Sequence, residues 1–288
     1  MCFFTKILFA MIRAVILFVI LALKICVAFS QEIPPLLTDR PGQSDATSIV
    51  PQAAIQLEMG LNKRWKSELL NLHFNDFTSG GLVRIGVLPW LEGRIQQYHI
   101  IERQKTDAYV YESNNVNNPL IDSPSSLESD LRGLSALNLG AKALLTEGSK
   151  GWKPEVAVLY DINLLPGSRK FGQPQFVHTF KLLVAHQITD WNIGYNLVRS
   201  YYNGKGNDLA YTLSVSKAIT DELGLYLEGF GDFPFQGIAK PFKNQAINTG
   251  ATYLLAPRTQ VDLFVGKGLT SYAYAWMLGG GVSIRINK

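Results

Sequence analysis

The chain has 288 residues, of which 27 are Lys or Arg, 23 are Asp or Glu and 47% are hydrophobic. Its two cysteines, Cys2 and Cys26, lie near the N-terminus, so the remainder of the chain can form neither a disulfide nor a thiolate metal site. A chain of this length suits a single large β-domain.

The first 30 residues have the features of a secretory signal peptide. Lys6 and Arg13 give a positively charged start, residues 14–23 are apolar, and small residues precede Gln31, the expected new N-terminus. A retained membrane helix is disfavoured because a span needs about 20 apolar residues. Lipidation at Cys26 is also disfavoured, because the residues before it are not small. Without the leader's three basic residues, 24 basic side chains face 23 acidic ones, which gives no reason to expect a nucleic-acid partner.

Residues 31–52 form a lead-in that is rich in Pro and Asp and has no periodicity. From residue 53 onward, short segments alternate apolar and polar residues, as in IQLEMGLN at residues 55–62. Successive strand side chains point to opposite faces, so this period of two predicts β-strands with one apolar and one polar face. Residues 68–74 are a candidate extension of the first hairpin. Twelve strands are predicted, at residues 53–65, 81–88, 91–103, 135–146, 154–164, 175–188, 191–202, 209–219, 223–231, 246–255, 261–269 and 274–286.

The predicted connections alternate between tight turns and longer polar loops. Turns lie near Pro89 and at residues 189–190, and the longest predicted loop covers residues 104–131, which are rich in Asn, Ser and Asp. Outer-membrane barrels show this asymmetry, with short periplasmic turns and long extracellular loops. Residues 53–288 are therefore predicted to form an all-β, antiparallel transmembrane β-barrel of about 12 strands in a Gram-negative outer membrane. An even strand count places both termini in the periplasm. A soluble β-sandwich is the alternative.

The apolar face is expected to contact lipid, with aromatic residues such as Trp65 and Trp276 at the strand ends forming interfacial girdles. The polar face is then expected to line the lumen. Opposite charges in a narrow lumen need partners because of their desolvation cost, so cross-barrel ion pairs are expected. Glycines on this face are interpreted as relief of crowding in a curved sheet, with room for a plug or solute as the alternative. The candidate lumen-lining or transport residues are Glu58, Arg84, Glu92, Arg94, Lys142, Asp161, Glu228 and Asp262.

The lead-in carries three charges of its own, Asp39, Arg40 and Asp45. Residues 38–45 are a candidate to fold into the lumen from the periplasmic end and narrow it, because these charges could pair with those of the barrel wall.

Residues 38–44 (TDRPGQS), with VP at residues 50–51 and QLEMG at residues 56–60, resemble the N-terminal signature of the "MetA-pathway of phenol degradation" family. This resemblance implies an outer-membrane barrel of the kind labelled a transporter, with a link to the uptake of aromatic compounds. The chain ends in IRINK, whereas such barrels often end on an aromatic residue. Further motifs that keep the order of the family are LEGR (91–94), LGAK (139–142), IGYNL (193–197), GATYLL (250–255) and VDLFVGKGL (261–269).

No motif predicts catalysis. None of the four histidines has a convincing serine partner, and the sequence has no GxSxG elbow, metal-ligand spacing or phosphate-binding loop. The chain is therefore predicted to be a non-enzyme without cofactor or metal. The predicted function is a channel or transporter for small solutes, including aromatic or hydrophobic ones, with outer-membrane lipid and a small-molecule solute as partners. The alternatives are a closed structural or surface-interaction barrel that acts through its extracellular loops, and an outer-membrane lipid-modifying enzyme.

Overall fold

The computed structural model describes residues 35–66, 72–109, 124–165, 176–202, 207–234, 244–270 and 273–287. The expected signal peptide, residues 1–30, lies outside the described residues. No helix long and apolar enough to cross a membrane occurs in the part of the chain that the structure describes. The strands are β1 (Ala54–Lys66), β2 (Leu72–Leu88), β3 (Leu91–Tyr109), β4 (Pro124–Leu134), β5 (Leu137–Thr146), β6 (Glu155–Leu165), β7 (Val177–Ile188), β8 (Trp191–Tyr202), β9 (Asn207–Ala218), β10 (Leu223–Pro234), β11 (Asn244–Ala256), β12 (Thr259–Gly268) and β13 (Tyr274–Asn287).

The strands form one closed antiparallel barrel, since β1 pairs with β13 as well as with β2. Residues 91–96 of β3 pair with β5, and residues 99–109 of β3 pair with β4. Only Ser135 and Ala136 separate β4 from β5, and Ser135 hydrogen-bonds to the main chain of Tyr98 in β3 at this break. β4 and β5 thus share one position, and the barrel has twelve. The predicted all-β barrel of about 12 strands is confirmed.

The predicted loop at residues 104–131 is wrong at both ends, because β3 continues to Tyr109 and β4 already begins at Pro124. The structure also extends the second predicted strand, 81–88, back to Leu72. The β3–β4 extension is hydrophilic: Arg103 Nε lies 3.3 Å from Asp130 Oδ1, with side-chain exposures of 65% and 43%. A strand that need not contact lipid needs no apolar face, so these residues lack the alternation that reveals a spanning strand.

The two ends of the barrel differ. At the end we call the short-turn end, three of the five connections have two residues each (89–90, 189–190 and 257–258), and the other two have four (219–222) and eight (147–154). At the opposite end, which we call the long-loop end, the connections have four to fourteen residues, the longest being 110–123, which lie outside the described residues. β1 begins at the short-turn end, and β13 ends there.

The side chains are sorted as a membrane barrel requires. Outward residues are apolar and exposed, for example Leu227 at 58% and Leu263 at 69%. Inward residues are charged and buried, for example Glu58 and Arg84. Trp65 and Trp276 lie near the long-loop end of the outer face, and Trp191 lies at the short-turn end. This arrangement inverts that of a soluble protein, because the apolar face meets lipid and the polar face meets the lumen.

Candidate functional site: a charged lumen that holds the N-terminal segment

Residues 35–53, here called the lumen segment, lie inside the barrel and contact strands around much of its circumference. Leu36 and Val50 are buried there. Thr47 hydrogen-bonds to Glu155 of β6, and Arg40 binds Asp262 of β12. The segment precedes β1, which starts at the short-turn end, so it enters the lumen from that end.

Arg84 of β2 is the centre of the charged wall. Its fully buried guanidinium donates to Glu92 from Nη2 at 2.8 Å and to Glu58 from Nη1 at 3.0 Å. It also donates to two main-chain carbonyls of the lumen segment, those of Leu37 at 3.3 Å and Ser48 at 2.8 Å. A buried guanidinium with every acceptor placed around it binds its partners at fixed angles, so Arg84 joins the wall to the segment.

Asp39 of the lumen segment enters this cluster. Its carboxylate contacts Arg94, accepts a hydrogen bond from Lys142 Nζ at 3.1 Å, and accepts one from the Ala46 main-chain N–H at 2.8 Å. Burial alone would raise the pKa of Asp39, but Arg84, Lys142 and Arg94 together hold this pKa well below its usual range. Asp39 is therefore a carboxylate that cations stabilise in a dry site.

Asp45 makes a second bridge further along the segment. Its carboxylate lies 2.9 Å from Arg94 Nη2 and 2.6 Å from Lys181 Nζ of β7, and its main-chain carbonyl accepts from Asn196 at 3.1 Å. Burial acts to raise the pKa of Asp45, but Lys181 and Arg94 outweigh it and lower this pKa.

Glu228 of β10 binds the main chain of the same segment. It accepts hydrogen bonds from the N–H groups of Gln43 at 2.7 Å and Ser44 at 2.6 Å, and from Asn248 of β11 at 2.8 Å. Ser44 also donates through its hydroxyl to Thr212 of β9 over 2.7 Å. A single carboxylate thus satisfies two successive backbone donors inside the barrel.

Three inward glycines make room for the lumen segment. A Cβ at Gly60 or Gly281 would overlap the Arg40 side chain, and one at Gly86 would overlap the Pro51 carbonyl. The interpretation as relief of sheet crowding is therefore wrong at Gly60 and Gly86, where the alternative, space for a plug, applies instead. At Gly281 both apply, because the Met59 carbonyl of the neighbouring strand is as close as Arg40.

The eight predicted lumen residues all lie on the inward side, and seven of them bind the lumen segment. Glu92, for example, accepts from the Val50 N–H at 2.9 Å. Asp161 is the exception: its ion-pair partner is Lys181 of the wall, at 3.9 Å, rather than a residue of the segment. The ion pairs thus connect wall to segment as well as wall to wall. Their uncharged partners, among them Thr212, Asn196 and the segment's own N–H groups, were missed because only charge was used as a signal.

The lumen segment does not fill the whole lumen. A cavity of about 640 Å³ lies between the lumen segment and the inner surface of β7 to β11, and it reaches the turns at the short-turn end. The inward side chains of β8 and β9 that line it are small and uncharged: Asn192, Gly194, Ser214 and Ser216. Charged residues, among them Glu155 and Glu228, also line this cavity, so its β8–β9 side is the part with the smallest and least charged side chains.

An apolar cluster lies inside the barrel on the β10–β13 side. Phe264, Met277 and Ala246 form its buried centre, and Phe230 and Tyr226 pack against it. Tyr226 also lines the cavity, so it lies between the cavity and this packed cluster. Its buried hydroxyl has no hydrogen-bond partner among the described residues.

Catalytic geometry does not appear at the histidines on the outer face. His178 Nδ1 lies 2.7 Å from the Tyr160 hydroxyl, and His186 Nε2 lies 3.5 Å from the Tyr195 hydroxyl. Across the described ranges, no group of three or more His, Cys, Asp or Glu side chains could hold a metal ion.

Comparison with known proteins places this barrel. An outer-membrane channel from Pseudomonas putida F1 has the same fold, with a TM-score of 0.56 and 10% identity over 86% of this chain and 99% of that one. The translocator domain of the autotransporter NalP from Neisseria meningitidis gives 0.49 and 11% over 83% and 90%. The CymD monoaromatic hydrocarbon channel gives 0.43 and 10% over 82% and 89%. No curated protein matches the sequence. Residues 38–286 match one family along almost the whole barrel and most of the lumen segment, and the chain is an outer-membrane β-barrel that belongs to the family described as "Putative MetA-pathway of phenol degradation".

Proposed function

We propose that the protein is an outer-membrane channel for small uncharged solutes, aromatic ones included, and that the lumen segment narrows its pore. The observation that carries this proposal is the division of the lumen. Charged residues bind the segment, and a cavity of about 640 Å³ remains beside it, with small uncharged side chains on its β8–β9 side and Glu155 and Glu228 among its other lining residues. A solute that follows the β8–β9 side meets few charged groups, and the buried charges of the lumen segment already have partners, so the pore favours neutral solutes.

In this proposal the solute moves from the cavity past Tyr226 toward the apolar cluster around Phe264. The cavity on the short-turn side is polar, whereas the cluster around Phe264 and Met277 offers an apolar and aromatic surface. Binding sites of this composition, mostly apolar with a few polar groups, suit small organic molecules. The buried Tyr226 hydroxyl could pair with a hydroxyl group of the solute. The family's description, which refers to phenol degradation, agrees with such a solute.

The short-turn end faces the periplasm in this proposal, together with both ends of the barrel chain. Barrels of this class carry short turns on the periplasmic side and longer loops outside. An epitope inserted near Asn117 should then react with antibody on intact cells. Reaction only after permeabilisation would contradict this orientation.

Solute uptake into vesicles tests the channel directly. The protein is reconstituted, and uptake of phenol is compared with that of benzoate, a related anion. Phenol should enter faster. Ser216→Trp, which fills the cavity beside β9, should reduce phenol uptake severalfold. Val215→Trp is the matched control. Val215 precedes Ser216 on the same strand but faces outward, so this substitution should leave uptake unchanged.

A closed barrel that acts through its extracellular loops is the second candidate, and the many bonds between the lumen segment and the wall favour it. If neither phenol nor benzoate enters vesicles that contain correctly folded protein, the closed barrel replaces the channel. A channel also needs no catalytic group, and we propose that the protein is not an enzyme. Lipid hydrolysis that is lost on replacing His178 would contradict this.

A further inference from the structure

The lipid face carries a paired arrangement of lysines and tryptophans near the long-loop end. Trp65 of β1 lies directly opposite Trp276 of the adjacent strand β13. Lys63 Nζ lies 5.8 Å from the centre of the Trp65 ring, and Lys267 Nζ of β12 lies 5.3 Å from the centre of the Trp276 ring. Two cations therefore flank a pair of indoles on three neighbouring strands.

These lysines lie on the outward side of their strands, where charge is normally avoided. Lysine tolerates such a place only near the membrane interface, where its stem can cover apolar surface while its ammonium reaches polar groups. Within the described residues of β1, β12 and β13, no carboxylate occupies an outward position. The described outward residues of these three strands thus offer the lysines no acidic partner, and an anion supplied by the membrane would complement them.

Apolar side chains continue the surface toward the middle of the barrel. Leu61, Leu278, Val265 and Leu263 are all exposed on these strands. An amphiphile whose anionic headgroup lies at the lysines could therefore place its acyl chains on these residues.

We propose that Lys63, Trp65, Trp276 and Lys267 form a binding site for the phosphorylated headgroup of a glycolipid in the outer leaflet. The site rests on the proposed orientation, in which the long-loop end faces the cell exterior. Lys63 and Lys267 are two strands apart and offset by two residues along β13, because their partners there are Leu278 and Trp276. Their Cα atoms are then roughly 12 Å apart from the ordinary spacing of strands and residues. This separation suits a disaccharide with a phosphate at each end, whose sugar rings lie over the indoles, better than a phospholipid with one phosphate.

Binding to purified lipid A tests the site. The full chain is folded in detergent, and lipid A is titrated while bound lipid is counted by native mass spectrometry. Lys63→Gln combined with Lys267→Gln should weaken binding at least tenfold. The matched control is Lys217→Gln, because Lys217 Nζ lies 5.1 Å from the centre of the Trp191 ring at the short-turn end, and no second lysine–tryptophan pair adjoins it among the described residues. This variant should bind as the wild type does.

Three results would overturn the proposal: unchanged binding of lipid A by the double variant, an equal loss in Lys217→Gln, or wild-type binding of phosphatidylglycerol as tight as that of lipid A. Folding of each variant is checked by its change in gel mobility on boiling, so a misfolded variant is recognised. Binding in detergent depends neither on solute uptake nor on which end of the barrel is outside. A failure here is therefore distinct from a failure of the channel or of its orientation.

Discussion

Arg40 of the lumen segment donates two hydrogen bonds to Asp262 of β12, from Nε to Oδ2 over 3.1 Å and from Nη2 to Oδ1 over 2.9 Å. Such a bidentate pair fixes orientation as well as distance. Gly281 of β13, the strand next to β12, and Gly60 of β1, the strand beyond it, leave the space in which the guanidinium lies. Together with the cluster around Arg84, this pair ties the segment to two separate parts of the wall, which explains how a short irregular segment is held inside the barrel.

A disulfide between the segment and β9 should form without strain. Ser44 Oγ and Thr212 Oγ1 lie 2.7 Å apart, so cysteines at both positions would bring two sulfur atoms within reach of a bond. We expect Ser44→Cys combined with Thr212→Cys to oxidise within single chains, measured by a thiol-reactive label before and after reduction. Ser44→Cys combined with Val215→Cys, whose second thiol would face lipid, should stay reduced. Two free thiols in the first variant would place the segment elsewhere.

Asp262 and Asp161 should differ in their contribution to stability. Asp262 is buried in the bidentate pair with Arg40, and removal of one partner of such a pair costs about 3 kcal/mol or more. Asp161 is partly exposed and 3.9 Å from Lys181, so its removal should cost less than about 1 kcal/mol. Denaturant unfolding of Asp262→Ala and Asp161→Ala in detergent measures both changes in the free energy of unfolding. Equal losses would contradict the assignment.

Substitutions of Arg84 and of Asp39 should differ in their effects on the stability of the barrel and on the docking of the lumen segment. Arg84→Met leaves Glu58 and Glu92 buried without their guanidinium, so we expect a loss of about 3–5 kcal/mol in the free energy of unfolding. Asp39→Asn removes one carboxylate from Arg84, Arg94 and Lys142 but leaves Glu58 and Glu92 as their partners, so the free energy of unfolding should fall by less than in Arg84→Met while the conductance rises. The two variants are compared by unfolding and by single-channel recording. A wild-type conductance in Asp39→Asn would show that Asp39 does not hold the segment.

The segment should respond to pH only under acidic conditions. The pKa values of Asp39 and Asp45 are lowered in the folded protein, so their ion pairs stabilise the docked state above the ordinary aspartate pKa of about 3.9. This stabilisation is lost as the pH falls through the lowered values. Conductance should therefore stay constant between about pH 8 and pH 5 and rise only below about pH 4. Opening between pH 7 and pH 5 would contradict the direction of these shifts.

The sequence predicts the barrel well because lipid imposes a strict alternation. Alternation alone assigns neighbouring residues such as Leu263 and Asp262 to opposite faces of the sheet. The strand positions can be predicted from this assignment. The same signal fails at Arg103 and Asp130, which pair in an exposed part of β3 and β4 where neither face need be apolar. A polar strand and a polar loop have the same composition there, so the predicted loop was too long.

The candidate site was only partly predictable. Inward charged residues such as Arg84 and Lys142 can be recognised from their position in the alternating strand pattern. The acidic residues Asp39 and Asp45 make the segment before β1 a candidate partner for them. The actual pairs depend on how the irregular segment folds back, and no periodicity encodes that path. The bonds from Glu228 to the main-chain N–H groups of Gln43 and Ser44 involve atoms that every residue has, so no residue type announces them.

The conductance of the barrel without its lumen segment tests the central claim most directly. Single-channel currents are recorded in planar bilayers for the wild-type chain and for a chain that lacks residues 31–45, after both have shown the same gel shift on boiling. If the segment narrows the lumen, the deletion should give a conductance several times that of the wild type, together with faster phenol uptake in vesicles. Equal conductance in the two folded chains would contradict the claim that the lumen segment controls the pore.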